Sequence, residues 1–437
     1  MMLNRSQKLF MMMAGLLLLV GFMQSWNLAF ALLNLCLISA LMTLGVNMQW
    51  GYAGLVNFGM MGFAALGGLA GVLISMPAVP GAIAAGGSGI LLGIVIGLIT
   101  IFAAIFTWRK TKGMTMRRRY TIMAVLLGVG LFIFRSIIDP AVDAIESFES
   151  AKSGYLGGLG LPIMLSWAVG GLMAAGVAWM IGKVSLGLRS DYLAIATLGI
   201  SEIIVYALKN EDWLARGVKN VTGLPRPVPY EINLQEAPWL IDLTSRYGLS
   251  LVDTSSIIVK LCYAILFTIV LVVIYRLSET ALKSPWGRMM RAIRDNEVSA
   301  EAMGKDVKAK HLQVFILGSA VVGIAGAMLT TLDGQFTPAS YQPLRFTFLI
   351  WVMVIIGGSG NNAGSIIGGF IIWFFWVEAE PLGLWIIEAL TSGMAEDSFL
   401  RLHLIENAAH TRLMTMGLVL LLVLRFAPKG LIPEVKR

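Results

Sequence analysis

Apolar stretches recur along the whole 437-residue chain, each about 20 residues long, the length at which a helix rising 1.5 Å per residue crosses a hydrocarbon core roughly 30 Å thick. A chain with so many such stretches has to fold in lipid. Only 13% of its residues are charged and 57% are hydrophobic, with a mean hydropathy of +0.79, where a soluble domain carries about a quarter charged residues. Lipid offers the backbone no hydrogen-bond partners, so a crossing segment must satisfy its own amides. The predicted fold is all-α: one polytopic transmembrane helical bundle over residues 1–437, of about ten to twelve membrane segments, some broken or re-entrant.

Twelve candidate spans can be delimited: Leu9 to Met23, Leu28 to Met48, Tyr52 to Met76, Ala82 to Phe106, Tyr120 to Ile138, Leu161 to Ile181, Tyr192 to Leu208, Ser256 to Tyr275, Leu312 to Leu332, Phe346 to Ile356, Ala363 to Val377 and Leu413 to Phe426. Three are irregular: Tyr192 to Leu208 contains Glu202, Phe346 to Ile356 is short, and Tyr52 to Met76 is interrupted by glycines. Charge orders them. Loop 107–119 has six basic residues and no acidic one, whereas 139–155 sets Asp139, Asp143, Glu146 and Glu149 against Lys152. With twelve crossings, the rule that cytoplasmic loops are basic places both termini, loop 107–119, the Lys183 to Arg189 turn and segment 276–311 in the cytosol. Loop 209–255 and the insert 378–411 then fall outside, the latter with apolar clusters suited to an in-plane helix or a lid.

Several function classes drop out. The net charge of +8 lies in short loops between spans, with no folded basic domain to hold nucleic acid. Cys36 and Cys262 sit in apolar runs without metal-ligand spacing. No phosphate loop, HExxH or GxSxG motif occurs, so no catalytic, cofactor-binding or metal residue is expected.

The chain's 48 glycines cluster in the spans, where small residues let helices approach closely. Two clusters also carry polar groups. Gly357, Gly358, Gly360 and Gly364 surround Asn361 and Asn362, and Asn47, Gln49 and Asn57 bracket Gly51 and Gly54. Each reads either as a broken helix exposing backbone to a solute or as a plain turn, and on the first reading Asn47, Asn57 and Asn361 line a pathway. Glu202 is the carboxylate deepest in an apolar run. It reads as an ion-linked group or as a side chain held by backbone or Ser201.

Segment 284–311 is the most charged part of the chain. Arg288, Arg291 and Arg294 recur at three-residue steps with Met290 and Ile293 between them, Val298, Glu301, Ala302 and Lys305 extend the helix, and Gly304 breaks it. An apolar ridge flanked by charge suits a protein partner. A basic helix lying on anionic headgroups is the other reading, and Asp295, Glu297 and Glu301 weigh against it.

Five landmarks in order, GYAGLVNFGMMGFAALGG from Gly51, LRSDYLAIATLGISEII from Leu188, the segment from Ser284, IIGGSGNNAGSIIGG from Ile355 and RFAPKGLI from Arg425, resemble the LivM-type permease subunits of branched-chain amino acid ABC importers. The resemblance implies that Arg291, Arg294, Glu301, Ala302 and Gly304 belong to a cytosolic coupling helix that docks on an ATPase. It also implies a second homologous permease, two cytosolic ATPase subunits, a periplasmic solute-binding protein, a small neutral amino acid as solute, no cofactor and a bacterial inner-membrane location. Asn57 and Met60 stand where family members commonly have serine and histidine, and VTGLPRPV from Val221 replaces a TGGPNG run. Urea or another neutral amino acid therefore remains open as solute. An ion-coupled secondary carrier and a membrane scaffold are the readings from other classes.

Overall fold

The computed structural model describes residues 4–394 and 398–434. Helix α1 (Arg5–Met23) leads into α2 (Trp26–Val46), which ends in a π turn at Asn47–Gly51, and an extended stretch precedes α3 (Met60–Ser75). A hairpin of α4 (Ser88–Lys110) and α5 (Met116–Ser147) follows, then α6 (Ile163–Ser185), α7 (Ser190–Asn210) and α8 (Leu251–Lys283). Two short helices, α9 (Pro285–Asp295) and α10 (Glu297–Ala302), come next. The remainder is α11 (Val307–Asp333), α12 (Pro343–Gly357), α13 (Asn362–Thr391) and α14 (Thr411–Phe426). The chain is an all-α polytopic membrane protein. Among the described residues ten helices are long and apolar enough to cross a bilayer, and α3 and α12 are shorter apolar helices.

With 16 and 15 residues, α3 and α12 reach only about 22–24 Å, short of a full core. These are the two interrupted pieces. Each is flanked by non-helical backbone, over 54–59 before α3 and 358–361 after α12.

Helix α2 is buried nearly all round, as expected for a helix without a polar face. It packs with α13, α8 and α11, while α11 packs in turn on α3 and α6, and glycines bring the backbones together. A Cβ added at Gly45 would meet the Gly318 carbonyl at 2.7 Å, one at Gly323 would meet the Gly170 carbonyl at 2.6 Å, and one at Gly67 would run into the carbonyl of Gly323. This is small-residue packing, the main device for helix association where lipid removes the hydrophobic drive.

The α4–α5 hairpin packs mainly on itself and exposes both outer faces. Its base is pinned where Val79 N donates to Leu156 O at 3.1 Å, and Trp213 N donates to Glu146 Oε1 at 3.2 Å. Loop 209–255 folds into short helices and a two-residue strand, β1 (Val221–Thr222), antiparallel to β2 (Gln335–Phe336).

In the insert 378–411, residues up to Thr391 prolong α13 through Pro381. The apolar cluster Trp385 to Leu390 is thus the last turns of a crossing helix, and Phe399–Glu406 forms a short helix of its own. Arg412 pairs with Glu380 at 2.6 Å, tying α14 to α13; residues 395–397 of the insert lie outside the described residues.

The basic segment departs from the single helix expected of it. Asn296 is extended (φ −157°), and its side chain accepts from Ser299 N at 2.9 Å. Asparagine bonds neighbouring backbone readily and so starts helices better than it continues them. The result is two helices with a corner at Asn296. Gly304 (φ +76°) makes the second corner, after which Asp306 caps α11 by accepting from Ala309 N at 3.0 Å.

Candidate functional site

Alternation of the helices brings the 107–119 loop, the turn after α6, α9 and α10, and the chain after α14 to one end of the bundle, its basic end. Both interrupted crossings open at this end too. Met290 and Ile293, expected as a ridge for a partner, are buried at 0% and 2% against the protein's own bundle. They moor α9, and the tight approach of Gly287 to the Leu282 backbone fixes where it leaves α8. The exposed apolar side chains of the segment are instead Val298 at 77% and Met303 at 79%, on the projecting α10 corner with exposed Glu301, Ala302 and Gly304.

Arg294 joins this corner to the interior. Its Nη1 donates to the carbonyl oxygen of Gly51, at the end of the π turn, and its Nη2 lies 3.0 Å from Glu434 Oε2 and 3.3 Å from Asp295 Oδ1. A flat guanidinium with five donors can hold several acceptors at once. One side chain thus ties α9 to the first break and to the segment after α14. Gly360, in the second break, lies close enough that an added Cβ would sit 3.3 Å from Arg294 Nη1 and 3.0 Å from Glu434 Oε2.

The two breaks are also bonded to each other. Asn47 Oδ1 accepts from Gly360 N at 2.9 Å, and Asn47 Nδ2 donates to Asn362 Oδ1 at 2.9 Å. Asn362 Nδ2 in turn donates to Glu279 Oε1 at 3.0 Å, and Glu279 pairs with Lys283 at 2.7 Å. A second network holds the extended stretch: Asn57 Nδ2 donates to Gln49 Oε1 at 2.9 Å, Gly59 N to Asn57 Oδ1 at 2.8 Å, and Gln49 Nε2 to Phe315 O at 2.9 Å. A buried amide with its donors and acceptors filled specifies one arrangement of the chain around it.

Of the three expected pathway residues, Asn47 and Asn57 have no exposed surface and spend their polar groups on the breaks. Asn361 differs. It caps α13 by accepting from Gly364 N at 3.2 Å, donates to Pro433 O at 3.2 Å, and lines a cavity of about 960 Å³. Tyr52, Glu279, Arg291, Arg294 and Glu434 share that cavity. Glu279 and Glu434 escaped sequence reasoning because each looks like an ordinary charge near the end of an apolar run. The only local signal was the i,i+4 pair of Glu279 with Lys283.

Glu202 lies on the outer face of α7, exposed. Neighbouring Ser201 does not hold it, because Ser201 Oγ accepts from Gly62 N at 2.7 Å.

Comparison with known proteins follows these landmarks. A family model described as "Branched-chain amino acid transport system / permease component" matches residues 144–424. The high-affinity branched-chain amino acid transport system permease protein LivM of Escherichia coli K12 is 26% identical over 285 residues, 63% of this chain and 65% of that protein. The probable branched-chain amino acid transport permease protein LivM of Methanocaldococcus jannaschii is 24% identical over 407 residues, 90% of each chain. The probable LivH permease of the same organism is 34% identical over 90 residues, 21% of this chain and 28% of that protein. The matched region thus spans 65% of the length of the Escherichia coli relative. No solved structure matches the chain. The α4–α5 hairpin lies almost wholly ahead of the family match, and α9, α10 and the second break lie within it.

Proposed function

The chain belongs to the family of branched-chain amino acid transport permease components, and on that premise we propose that it is the LivM-type permease subunit of an ATP-driven importer for leucine, isoleucine and valine. In this reading the bundle sits in the bacterial inner membrane with its basic end, and both termini, in the cytosol. It pairs with a second, homologous permease, two cytosolic ATPase subunits and a periplasmic solute-binding protein. It performs no chemistry itself.

The observation that carries the reading is the linkage at Arg294. A coupling element must touch the engine on one side and the gate on the other, and its contacts must differ between two states of the gate. The α9–α10 corner has both sides. Val298, Glu301, Ala302 and Met303 project outward, where an ATPase groove would receive them, while Arg294 binds Gly51 in one break beside Gly360 in the other. Displacing the corner pulls on both interrupted crossings together. Arg291 and Asn361, on the wall of the same cavity, are the polar groups that such a movement would rearrange. Asn47 and Asn57 serve the pathway from behind by holding its breaks in register.

The experiment is to reconstitute the chain with its partner permease, ATPase and binding protein, and to measure leucine uptake and ATP hydrolysis together. Uptake that requires ATP, saturates with leucine, isoleucine or valine and is absent with this chain alone supports the assignment. Uptake by the chain alone would point to a secondary carrier, and uptake of urea in preference to leucine would move the solute class.

A further inference from the structure

Helix α7 carries a side-chain stripe that nothing among the described residues covers. Tyr192, Ile195 and Tyr206 are exposed at 60%, 68% and 69%, and Gly199 and Glu202 between them are exposed as well. The spacing of three and four residues puts all five on one face. Glu202 is the thirteenth of 21 residues in the helix, about 18 Å along it at 1.5 Å per residue, which is mid-membrane depth. Among the described residues no basic side chain forms an ion pair with it.

A carboxylate at that depth is too costly to leave in hydrocarbon, and such groups face protein or water and mark the route of what is carried. On its inward, buried side α7 meets aromatic residues. Phe58 N donates to Thr197 Oγ1 on α7 at 3.0 Å, the Phe58 ring meets Trp351 of α12 edge-on at 5.1 Å, and Trp351 lies 4.8 Å from Trp50. One turn before the buried Trp351, Phe348 is 63% exposed on α12, which packs against α7. An unpaired carboxylate at that depth complements the ammonium group of a zwitterionic amino acid, and an exposed ring such as Phe348 suits its branched aliphatic chain.

We propose that the exposed face of α7 is a wall of the solute pathway, closed on its other side by the second permease, and that Glu202 receives the α-ammonium group of the amino acid while the Phe348 side of α12 faces its aliphatic chain. The site rests on the permease reading above and names the recognition group within it. Proton or ion coupling has no part in it, since the carboxylate serves as a fixed counter-charge to the cargo. Mobile solute replaces the lysine or arginine that a structural carboxylate would need.

The test uses the assembled transporter in vesicles. Ile195→Cys is placed in a Cys262→Ala chain and treated with a membrane-impermeant cationic methanethiosulfonate, with Leu172→Cys on the outer face of α6 as the lipid-facing control. Ile195→Cys reacts, and leucine slows the reaction; Leu172→Cys stays unreactive. Glu202→Gln lowers leucine uptake about tenfold or more, the scale of one charge-assisted hydrogen bond, Glu202→Asp retains part of it, and both variants co-purify with the second permease as wild type does. Equal silence of the two cysteines, unchanged uptake by Glu202→Gln, or loss of the second permease from that variant would each overturn the proposal. Wild-type vesicles that take up no branched-chain amino acid would overturn the permease reading itself, which separates the two failures.

Discussion

The guanidinium of Arg294 donates to the carbonyl oxygen of Gly51, 243 positions earlier in the chain. That carbonyl ends a π turn, where a helix terminus leaves acceptors without an intrahelical partner. A side chain of the exposed corner therefore completes the end of the most buried of the ten long apolar helices among the described residues. Removing the guanidinium in Arg294→Ala should lower uptake about tenfold or more, since hydrogen bonds to charged groups contribute about 1.5–3 kcal/mol. ATP hydrolysis by the assembled complex should persist. Arg294→Lys should recover only part of the uptake, because an ammonium is a point charge and cannot span Gly51 and Glu434 together. Parallel uptake and ATPase assays on the reconstituted variants measure both.

The projecting corner should behave as a contact surface. Val298→Asp and Met303→Asp place charge on two side chains that touch little of their own chain, so the protein should fold with unchanged Tm while its affinity for the ATPase falls about tenfold or more per change. Gly304→Ala acts through the backbone. Its φ of +76° is strained for any residue with a Cβ, and nothing within 4 Å would obstruct the methyl, so the cost is conformational, about 1 kcal/mol. Glu301→Ala should leave the protein in the membrane and separate ATP hydrolysis from uptake. Pull-down titration against the ATPase, with a melting curve for each variant, distinguishes surface from backbone effects.

Glycine positions give a sharp internal contrast. Gly67→Val should prevent the α3–α11 crossing, because its Cβ would run into the Gly323 carbonyl, whereas Gly176 has nothing within 4 Å on α6. Gly176→Ala should be neutral or stabilising by up to about 1 kcal/mol, the difference in helix propensity between the two residues. Yield of monodisperse protein after detergent extraction reads the difference.

The number and order of the crossing helices were legible because lipid imposes a length and a charge asymmetry that sequence displays directly. Even the two short crossings announced themselves through glycine and asparagine. The division of segment 284–311 at Asn296 was not legible, because helix-forming residues stand on both sides of it, up to Asp295 and again from Glu297, and only the folded chain shows its side chain capping a new helix. Met290 and Ile293 have the pattern of a partner-binding ridge, and only the packed structure shows that the partner is the protein's own bundle. Asn57 and Asn361 look equivalent in sequence, yet one is sealed with Gln49 and Gly59 while the other borders the cavity. Contacts between residues more than a hundred positions apart, such as Asn47 with Gly360 or Arg294 with Glu434, leave no trace in local pattern.

The buried amide of Asn57 should matter for stability more than for solute choice. Asn57→Ala removes the partner of both Gln49 and Gly59 N in a region with no access to water, at about 2–4 kcal/mol for two lost bonds with a stranded donor and acceptor. Asn57→Ser keeps an oxygen near Gly59 N and should cost less, about 1 kcal/mol. Thermal unfolding in detergent should rank wild type above Asn57→Ser above Asn57→Ala, with the ratio of leucine to valine uptake unchanged where the protein survives.

The central claim is that the α9–α10 corner is the cytosolic handle by which an ATPase moves the two interrupted crossings. Val298→Cys in a Cys262→Ala chain tests it most directly, by labelling with a membrane-impermeant thiol reagent in right-side-out and inside-out vesicles, with and without the ATPase. The account predicts labelling from the cytosolic face alone and protection when the ATPase is bound. Labelling from the periplasmic face, or labelling that the ATPase leaves unchanged, would contradict it.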